Sequence, residues 1–320
     1  MKEIGGYFGL ELPRKTEFHQ QAGRVNNGRN AFRYLLKANR PSKIFIPAYV
    51  CDSILEPLKK EKIAYEFYYI DSKFHIKYNI GLGNKEKILY VNYFGMKDDY
   101  VRKVVEDYGK NSVVIDNTQA FFSRSIDGVD AFYSARKFFG VADGAYVYAN
   151  KKLEEDVPSS FSCDNYAHLL GRLDMDASSF YSAFQKNEER HSQMALGKMS
   201  SLTQRILSSI DYDEVAKIRK RNFNRLHKYL GRYNELAIPV NIHGVPMVYP
   251  FKSSIAALRD KLIQAKIYVA RYWEEVLSRV EKTAFEYEMV EFCLPLPIDQ
   301  RYSEYDMNKI IKIILAEEER

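Results

Sequence analysis

Short apolar runs alternate with longer amphipathic runs from about Asn30 to Asn150. The apolar runs are rich in β-branched and aromatic residues and have the length of strands, whereas the runs between them are long enough for helices. This alternation predicts βαβ units and a mostly parallel sheet. The predicted strands are residues 43–46, 64–70, 88–93, 112–116, 131–134 and 144–149, and the predicted helices are residues 29–39, 52–62 and 98–109.

The alternation stops after Asn150. Residues 166–235 have a mostly helical pattern that ends in a long amphipathic stretch from Asp211 to Asn234. Beyond it the pattern predicts a strand at 245–251, a helix at 254–266, a strand at 292–297 and a helix at 303–317. We therefore predict an α/β fold with a mostly parallel central sheet flanked by helices. The large domain would comprise residues 1–210, and a smaller C-terminal α+β domain would comprise residues 211–320 and begin with the long helix.

Composition narrows the class of protein without identifying it. The 320 residues are 46% hydrophobic and 28% charged, which suits one or two globular domains and argues against a long disordered arm. Lysine plus arginine exceed aspartate plus glutamate by 48 − 42 = 6. This surplus favours anionic small molecules only weakly, and it is too small to indicate a dedicated nucleic-acid binder.

Cysteine and histidine positions give no indication of a disulfide framework or a metal site. Cys51, Cys163 and Cys293 are far apart, and the six histidines occur singly. No segment approaches the roughly 20 apolar residues that span a bilayer, and the N-terminal residues lack the apolar stretch of a secretory signal. We expect a cytoplasmic protein without metal or membrane partners.

Two short segments could carry chemistry in the first half of the chain. Asn26–Asn30 is a polar turn that leads into a helix, so its free amides and the helix dipole could bind a phosphate. An ordinary helix cap explains the same residues. Asp116 ends an apolar strand, where a carboxylate could meet a cation or a protonated ring nitrogen, although aspartate at this place is also a common turn former.

A third segment contains Lys137, which is flanked by aromatic residues between two predicted strands. Partial desolvation would lower the pKa of this lysine and make its neutral amine available for Schiff-base chemistry, whereas most loop lysines are simply solvated. The order of the three segments favours the chemical interpretation. A phosphate turn comes first, a strand-end aspartate follows, and a lysine lies about 20 residues further on.

In this order the segments resemble the fold-type-I pyridoxal-phosphate enzymes, and among them the DegT/StrS-type sugar aminotransferases. Residues 27–31 are similar to the family's Ser-Gly-Thr-x-Ala phosphate turn, 46–49 to its proline-containing strand exit and 93–95 to its His-x-Tyr-Gly segment. Residues 116–120 are similar to its Asp-x-Ala-Gln/His-Ala. Residues 134–137 with 143–145 are similar to its lysine segment, and 266–273 to a small-domain segment near the substrate.

The resemblance implies a role for each matching residue. Lys137 would form the Schiff base with pyridoxal 5′-phosphate and move the substrate Cα proton, and Asp116 would pair with the ring nitrogen. The remaining cofactor contacts would come from Gly28, Arg29, Asn30 and Ser134 at the phosphate, from Gln119 at the ring hydroxyl, and from Tyr49 or the position of Cys51 at the ring face. Substrate contacts would come from Tyr93 and Arg271.

The chain also departs from the family pattern. Phe132 stands where the family has a serine, and residues 198–203 replace the Gly-x-Asn-x-Arg-Met segment that reaches the neighbouring subunit. The implied function is a homodimeric aminotransferase that moves an amino group from a donor such as L-glutamate to a nucleotide-linked keto sugar, as in polysaccharide biosynthesis. A lyase, a racemase or a non-catalytic sugar-nucleotide-binding protein on the same fold are the alternatives.

Two further features have less specific interpretations. The most basic helix contains Lys217–Arg221, Arg225, Lys228 and Arg232, and it is predicted to be a solvated face. Residues 154–165 are predicted to be either a mobile flap over the site or an inert surface loop.

Overall fold

In the computed structural model, which describes residues 4–239, 242–255 and 257–319, a seven-stranded sheet forms the centre of the molecule. Its strands lie in the order β1-β7-β6-β5-β4-β2-β3. They are β1 (Gly23–Val25), β2 (Lys43–Pro47), β3 (Ala64–Tyr68), β4 (Glu86–Val91), β5 (Val113–Asp116), β6 (Asp130–Ser134) and β7 (Ala145–Tyr148).

The sheet is mostly parallel, as the alternation of apolar and amphipathic runs predicts. Strands β2 to β6 are parallel, while β7 runs antiparallel to both β6 and β1. Asp116 lies opposite Val91 on one side and Phe132 on the other, so the carboxyl ends of β4, β5 and β6 meet at one edge. The three-residue β1 was not predicted from the sequence, because so short a strand has no readable alternation.

Helices cover the sheet and build the C-terminal part. They are α1 (Gly28–Asn39), α2 (Leu55–Glu61), α3 (Asp98–Tyr108), α4 (Ala167–Asp174), α5 (Tyr181–Gln193), α6 (Ser201–Leu207), α7 (Tyr212–Leu230), α8 (Leu258–Gln264), α9 (Phe285–Phe292) and α10 (Glu304–Glu318). A second sheet pairs β8 (Tyr249–Lys252) with β9 (Cys293–Leu296) in antiparallel fashion. The predicted α/β fold with a smaller C-terminal α+β part is confirmed.

Some predicted elements are displaced in the C-terminal part. The predicted strand 245–251 pairs only from Tyr249, and the predicted helix 254–266 is observed as α8, from Leu258 to Gln264. The helix α9 lies in a stretch with no sequence prediction. Residues 245–248 are apolar because they are buried beside the site, not because they all form a ladder. An apolar run alone does not distinguish these two causes.

Two hydrophobic cores meet along α7. Its first turns, with Tyr212 and Val215, belong to the core around the large sheet, and Phe223, Leu226 and Leu230 belong to the core of the C-terminal part. Several residues from beyond α7 also join the first core, namely Leu236, Val245, Met247, Val248, Val276, Met289, Val290 and Cys293. The two parts therefore interlock, and the boundary at residue 211 stays a sequence-based prediction. No helix in the described ranges has the length and apolar character needed to cross a membrane.

Candidate active site

A cavity of about 500 Å³ lies at the carboxyl edge of the large sheet. Open α/β sheets bind ligands at this edge, because loops leaving neighbouring strands diverge there. One side, here called the sheet-edge wall, consists of Asn27, Gly28, Arg29, Asp116, Thr118, Gln119, Ser134, Arg136 and Lys137. The opposite side, here called the C-terminal wall, consists of Met247, Val248, Tyr268, Ala270, Tyr272, Trp273, Pro295, Pro297 and Asp299.

The N-terminus of helix α1 forms part of the sheet-edge wall. Asn27 caps the helix by accepting a hydrogen bond from the amide of Asn30 at 2.8 Å, so Gly28 and Arg29 form the first turn. A Cβ atom added to Gly28 would lie 3.6 Å from Cγ2 of Thr118, which places the start of the helix beside the loop that follows β5. First-turn amides have no partner inside a helix, and with the helix dipole they favour an anion.

Two arginines add positive charge to this end of the cavity. Nε of Arg29 lies 3.1 Å from the carboxylate of Glu56, and the guanidinium of Arg136 pairs with Glu188 of α5. In spite of these ion pairs, Nε of Arg29 and Nε of Arg136 are buried and have no hydrogen-bond partner among the described residues. Burial lowers the pKa of Arg136, Glu188 opposes this shift, and the charge of Arg29 adds to it. An anion with several oxygen acceptors would satisfy both Nε atoms and relieve the repulsion.

Asp116 and Lys137 are joined through Thr118 in the middle of the sheet-edge wall. Oδ1 of Asp116 accepts the amide hydrogen of Thr118 at 2.8 Å, and Nζ of Lys137 donates to the hydroxyl of Thr118 at 3.3 Å. Asp116 is only 3% exposed. Burial raises the pKa of its carboxyl group, and the charge of Lys137 and the hydrogen bond from Thr118 partly counter this rise. A cation that approached Asp116 would stabilise the ionised carboxylate.

The C-terminal wall is aromatic and apolar. Trp273, the single tryptophan of the chain, has a left-handed backbone with φ of +61°, which is rare for a bulky residue. Its ring packs edge-on against the ring of Tyr49 at 4.6 Å. Tyr268 is 61% exposed and stands at the mouth of the cavity. Aromatic faces of this kind suit a ligand with a flat or apolar side.

Comparison with known proteins gives a result at the level of the fold. No protein-family model matches the sequence, and no curated protein matches it. The similar solved structures include a DegT DnrJ EryC1 StrS aminotransferase from Brucella abortus, DesV of S. venezuelae, and the PLP form of Spr1654 from Streptococcus pneumoniae, described as a sugar aminotransferase. Their sequence identities are 14%, 15% and 13%, and their TM-scores are 0.62, 0.65 and 0.65. The alignments cover 92%, 93% and 93% of this chain, and 85%, 85% and 87% of the other chains.

The chain has the fold of the sugar aminotransferases. The fold implied by the resemblance of the short segments is thereby confirmed, although the overall identity is low.

Most of the residues selected from the sequence line the cavity of this sugar-aminotransferase fold. They are Gly28, Arg29, Cys51, Asp116, Gln119, Ser134 and Lys137. Gln119 is held in place because its Oε1 accepts the amide hydrogen of Phe94 at 2.8 Å. Phe132 also lines the cavity, and Ser134 lies two residues further along β6. Ser134 is therefore the hydroxyl that the lysine segment brings to the cavity.

Four selected residues do not line the cavity. The side-chain amide of Asn30 donates to Oδ1 of Asn26 and to the carbonyl of Ala195, both at 2.9 Å, so it ties α1 to the segment after α5. Tyr49 and Tyr93 are fully buried, and the hydroxyl of Tyr93 donates to the carbonyl of Tyr49 at 2.9 Å. The structure thus places these three side chains outside the cavity lining, and the roles that the resemblance implies for them stay predictions.

Arg271 lies just outside the C-terminal wall, between two residues that line it. Its guanidinium pairs with Glu291 and donates to the carbonyl of Val290 at 3.4 Å. The α9 segment therefore holds this side chain, and the substrate contact implied for it stays a prediction.

The environment of Lys137 also differs from expectation. Its side chain is exposed in the cavity, so the flanking aromatic rings do not desolvate it. Phe138 and Phe139 are instead packed into the core behind the lysine. Within the described ranges, no three His, Cys, Asp or Glu side chains come together in a way that could hold a metal ion.

Several cavity residues were missed by the sequence analysis. Thr118 and Arg136 lie inside segments that were already selected. Their sequence positions close to Asp116 and Lys137 could have identified them as cavity residues. Trp273 likewise ends the selected segment 266–273, whereas Glu188 and Arg219 come from other parts of the chain. Arg219 was placed on a solvated helix face, but it is 1% exposed. Its side chain turns inward, which the charge pattern of the helix does not show.

Proposed function

We propose that this protein is a pyridoxal-phosphate-dependent aminotransferase that transfers an amino group from a donor such as L-glutamate to a keto sugar, carried on a nucleotide. The observation that carries the proposal is the placement of Asp116 and Lys137 in one cavity, connected through Thr118. A binding protein would need neither the buried carboxylate nor the free amine. The sugar-aminotransferase fold of the solved structures supports the same conclusion.

The residues of the sheet-edge wall fit the cofactor. Gly28, Arg29, Ser134 and Arg136 would hold its phosphate, because they combine first-turn amides, a hydroxyl and two guanidinium groups with unpartnered Nε atoms. Asp116 would accept a hydrogen bond from the protonated ring nitrogen. The cofactor, when bound, would act as an electron sink for the carbanion that forms at the substrate Cα.

Lys137 would carry out the proton transfers. Lys137 lines the cavity, and its Nζ donates to the hydroxyl of Thr118 at 3.3 Å. The amine would be the point of covalent attachment in the resting enzyme. Once a substrate amine has displaced it, Nζ would take the proton from the substrate Cα and deliver it to C4′, the cofactor carbon to which the amine had been attached. Thr118 would hold Nζ over the cavity between these steps.

The test is to locate the cofactor and to challenge it with an amino donor. The purified protein would be incubated with pyridoxal phosphate, reduced with borohydride and digested for peptide mapping. We expect the label on Lys137, and we expect the yellow absorption of the unreduced complex to bleach on addition of L-glutamate. Absence of a label on Lys137 would refute the proposal. A label that no amino donor bleaches would favour a lyase or a racemase.

We also propose that the protein is a homodimer, as the resemblance implies. Large apolar side chains are exposed on and near the α4–α5 hairpin, including Phe161 at 85% and Leu173 at 83%. Exposed apolar side chains in such number are typical of surfaces that bind another protein. Light scattering during size-exclusion chromatography should give a mass near twice the 37.4 kDa of the chain, and a mass of one chain would contradict the proposal.

A further inference from the structure

Arg219 differs from the other basic residues of α7. Lys217 has a side chain that is 79% exposed, whereas Arg219 is 1% exposed and reaches the cavity from behind the C-terminal wall. A buried guanidinium is uncommon, because the charge loses its hydration. Its presence at this place therefore calls for a specific role.

The hydrogen bonds of Arg219 go to neutral groups. Nε donates to Oε1 of Gln300 at 3.1 Å, and one terminal nitrogen donates to the carbonyl of Met247 at 3.0 Å. The nearby carboxylate of Asp299 is held by Arg301 in a bidentate pair at 2.7 and 2.8 Å. Burial lowers the pKa of Arg219 to about 10, so the side chain remains charged at neutral pH.

Phe138 is the residue that Arg219 and Gln300 hold together. The guanidinium carbon of Arg219 lies 4.6 Å from the centre of the Phe138 ring, and its second terminal nitrogen lies 3.5 Å from the carbonyl of Phe138. The same carbonyl accepts a hydrogen bond from the side-chain amide of Gln300 at 2.7 Å. Both the ring and the backbone of Phe138 are thus fixed, and Phe138 directly follows Lys137 in the chain.

The lysine itself has little to fix it. Its side chain is exposed, and its hydrogen bond to Thr118 is long at 3.3 Å. Its direction therefore depends on the backbone turn formed by residues 135–138. Arg219 ties this turn to Met247, in the segment that leads into β8, and through Gln300 to the segment that follows β9.

We propose that Arg219 is a positioning residue that fixes the Lys137 turn against the C-terminal wall and thereby directs Nζ into the cavity. This proposal rests on the proposed function for the role of Lys137. The contacts of Arg219 with Phe138, Met247 and Gln300 are features of the protein alone, so they can be tested without cofactor.

The first experiment compares Arg219→Met with Arg225→Met by amide hydrogen exchange of the ligand-free protein. Arg225 lies on the same helix and its guanidinium binds the exposed Asn308, so it is a matched control. The amides of Phe138 and Phe139, which donate to the carbonyl of Ala135, should exchange about tenfold faster in Arg219→Met and at the original rate in Arg225→Met. A purely structural role would speed exchange throughout the C-terminal part, and such a result would overturn the proposal.

The second experiment measures how fast pyridoxal phosphate attaches to Lys137, by borohydride trapping at successive times. Attachment should be about tenfold slower in Arg219→Met and unchanged in Arg225→Met. Arg219→Lys should remain slow, because a lysine keeps the charge but cannot reach three acceptors at once. Full recovery with lysine, or attachment at the original rate in a folded Arg219→Met protein, would refute positioning by hydrogen bonds.

A milder variant covers the case in which Arg219→Met does not fold. Gln300→Leu removes two hydrogen bonds from the same cluster and leaves Arg219 in place. Faster exchange confined to residues 135–139 would support the proposal, and unchanged exchange would contradict it. If the original protein never carries a label on Lys137, the proposed function fails, while the exchange experiment still decides whether Arg219 fixes the turn.

Discussion

The two walls of the cavity differ in how their residues are arranged along the chain. The sheet-edge wall comes from three short segments, each at the end of a strand or the start of a helix. The C-terminal wall comes from single residues on loops and strands between Met247 and Asp299. Strand ends and helix starts have local sequence signals, whereas loop packing depends on distant partners. All three segments of the sheet-edge wall were therefore recognised in the sequence, whereas only residues 266–273 of the C-terminal wall were.

The walls also differ in chemistry. Charged groups dominate the sheet-edge wall, with Arg29, Asp116, Arg136 and Lys137, while the C-terminal wall presents mostly aromatic and apolar side chains. We infer a division of labour, in which the sheet-edge wall binds the cofactor and performs the chemistry, and the C-terminal wall contacts the substrate. Changes at the first wall should abolish cofactor-dependent steps, and changes at the second should alter the choice of substrate.

The largest effect is expected from Lys137→Ala. The variant removes both the attachment point and the proton carrier, so turnover of L-glutamate should fall by about 1000-fold or more. The variant should still fold, because the side chain is exposed in the cavity. Single-turnover absorbance measurements would check this, with Lys103→Ala, an exposed lysine of α3, as the control. Retained turnover would remove Lys137 from the mechanism.

A smaller loss of rate, combined with a gain in stability, is expected from Asp116→Asn. The ring nitrogen would lose its charged partner, and the rate should fall by roughly 100-fold. The ligand-free protein should become more stable, because a buried charge is removed while the amide of Thr118 keeps an oxygen acceptor. We expect its unfolding midpoint to rise by roughly 1–3 °C near neutral pH.

The pH dependence of this gain follows from the raised pKa of Asp116. In the original protein, ionisation of Asp116 costs more free energy in the folded than in the unfolded state. Stability is therefore lost as pH rises from the ordinary value of 3.8 through the raised pKa of the folded state. The advantage of asparagine should grow over that window and then level off. Urea unfolding between about pH 4 and about pH 8 would measure it, and a constant difference would contradict the assignment.

The next effect concerns cofactor affinity. Arg136→Gln should weaken binding of pyridoxal phosphate by about 10- to 100-fold, because a charged hydrogen bond to the phosphate is lost. Fluorescence of Trp273 offers a direct measurement, since this single tryptophan lines the same cavity. Bound pyridoxal phosphate should quench this fluorescence. Inorganic phosphate should reduce the quenching more strongly in the original protein than in the variant. Equal affinities would place the phosphate elsewhere.

The residues selected from the sequence line the cavity where a residue's neighbours in the chain are also its neighbours in space. Gly28, Asp116, Ser134 and Lys137 lie at element boundaries, and the structure places all four in the cavity. Tyr93 also follows a strand, but its ring turns into the aromatic core beside Phe74 and Tyr90. Which way a side chain turns after a strand depends on the space that other segments leave.

The side-chain contacts of Arg219 and Arg271 also could not be predicted from the local sequence. Arg219 has the sequence context of an exposed helix face and is buried, because α7 packs against the segments around Met247 and Gln300. Arg271 has the context of a substrate contact, but it pairs with Glu291 in α9, an element that the sequence did not predict. Met247 and Gln300 are distant from Arg219 in the sequence, and Glu291 is distant from Arg271. No local sequence pattern therefore indicates these contacts.

The smallest effect is expected from Tyr268→Ala, and it tests the division of labour most directly. Tyr268 is 61% exposed at the cavity mouth and lies on the C-terminal wall, so its removal should not disturb the fold. Binding of pyridoxal phosphate should change less than about twofold, whereas the KM for an amino donor or a keto acceptor should rise by about three- to tenfold through lost ring contact. Tyr305→Ala, another exposed tyrosine but on α10, is the matched control. If Tyr268→Ala weakened the cofactor as strongly as Arg136→Gln does, the two walls would not divide cofactor from substrate, because a single aromatic ring at the mouth would then serve both.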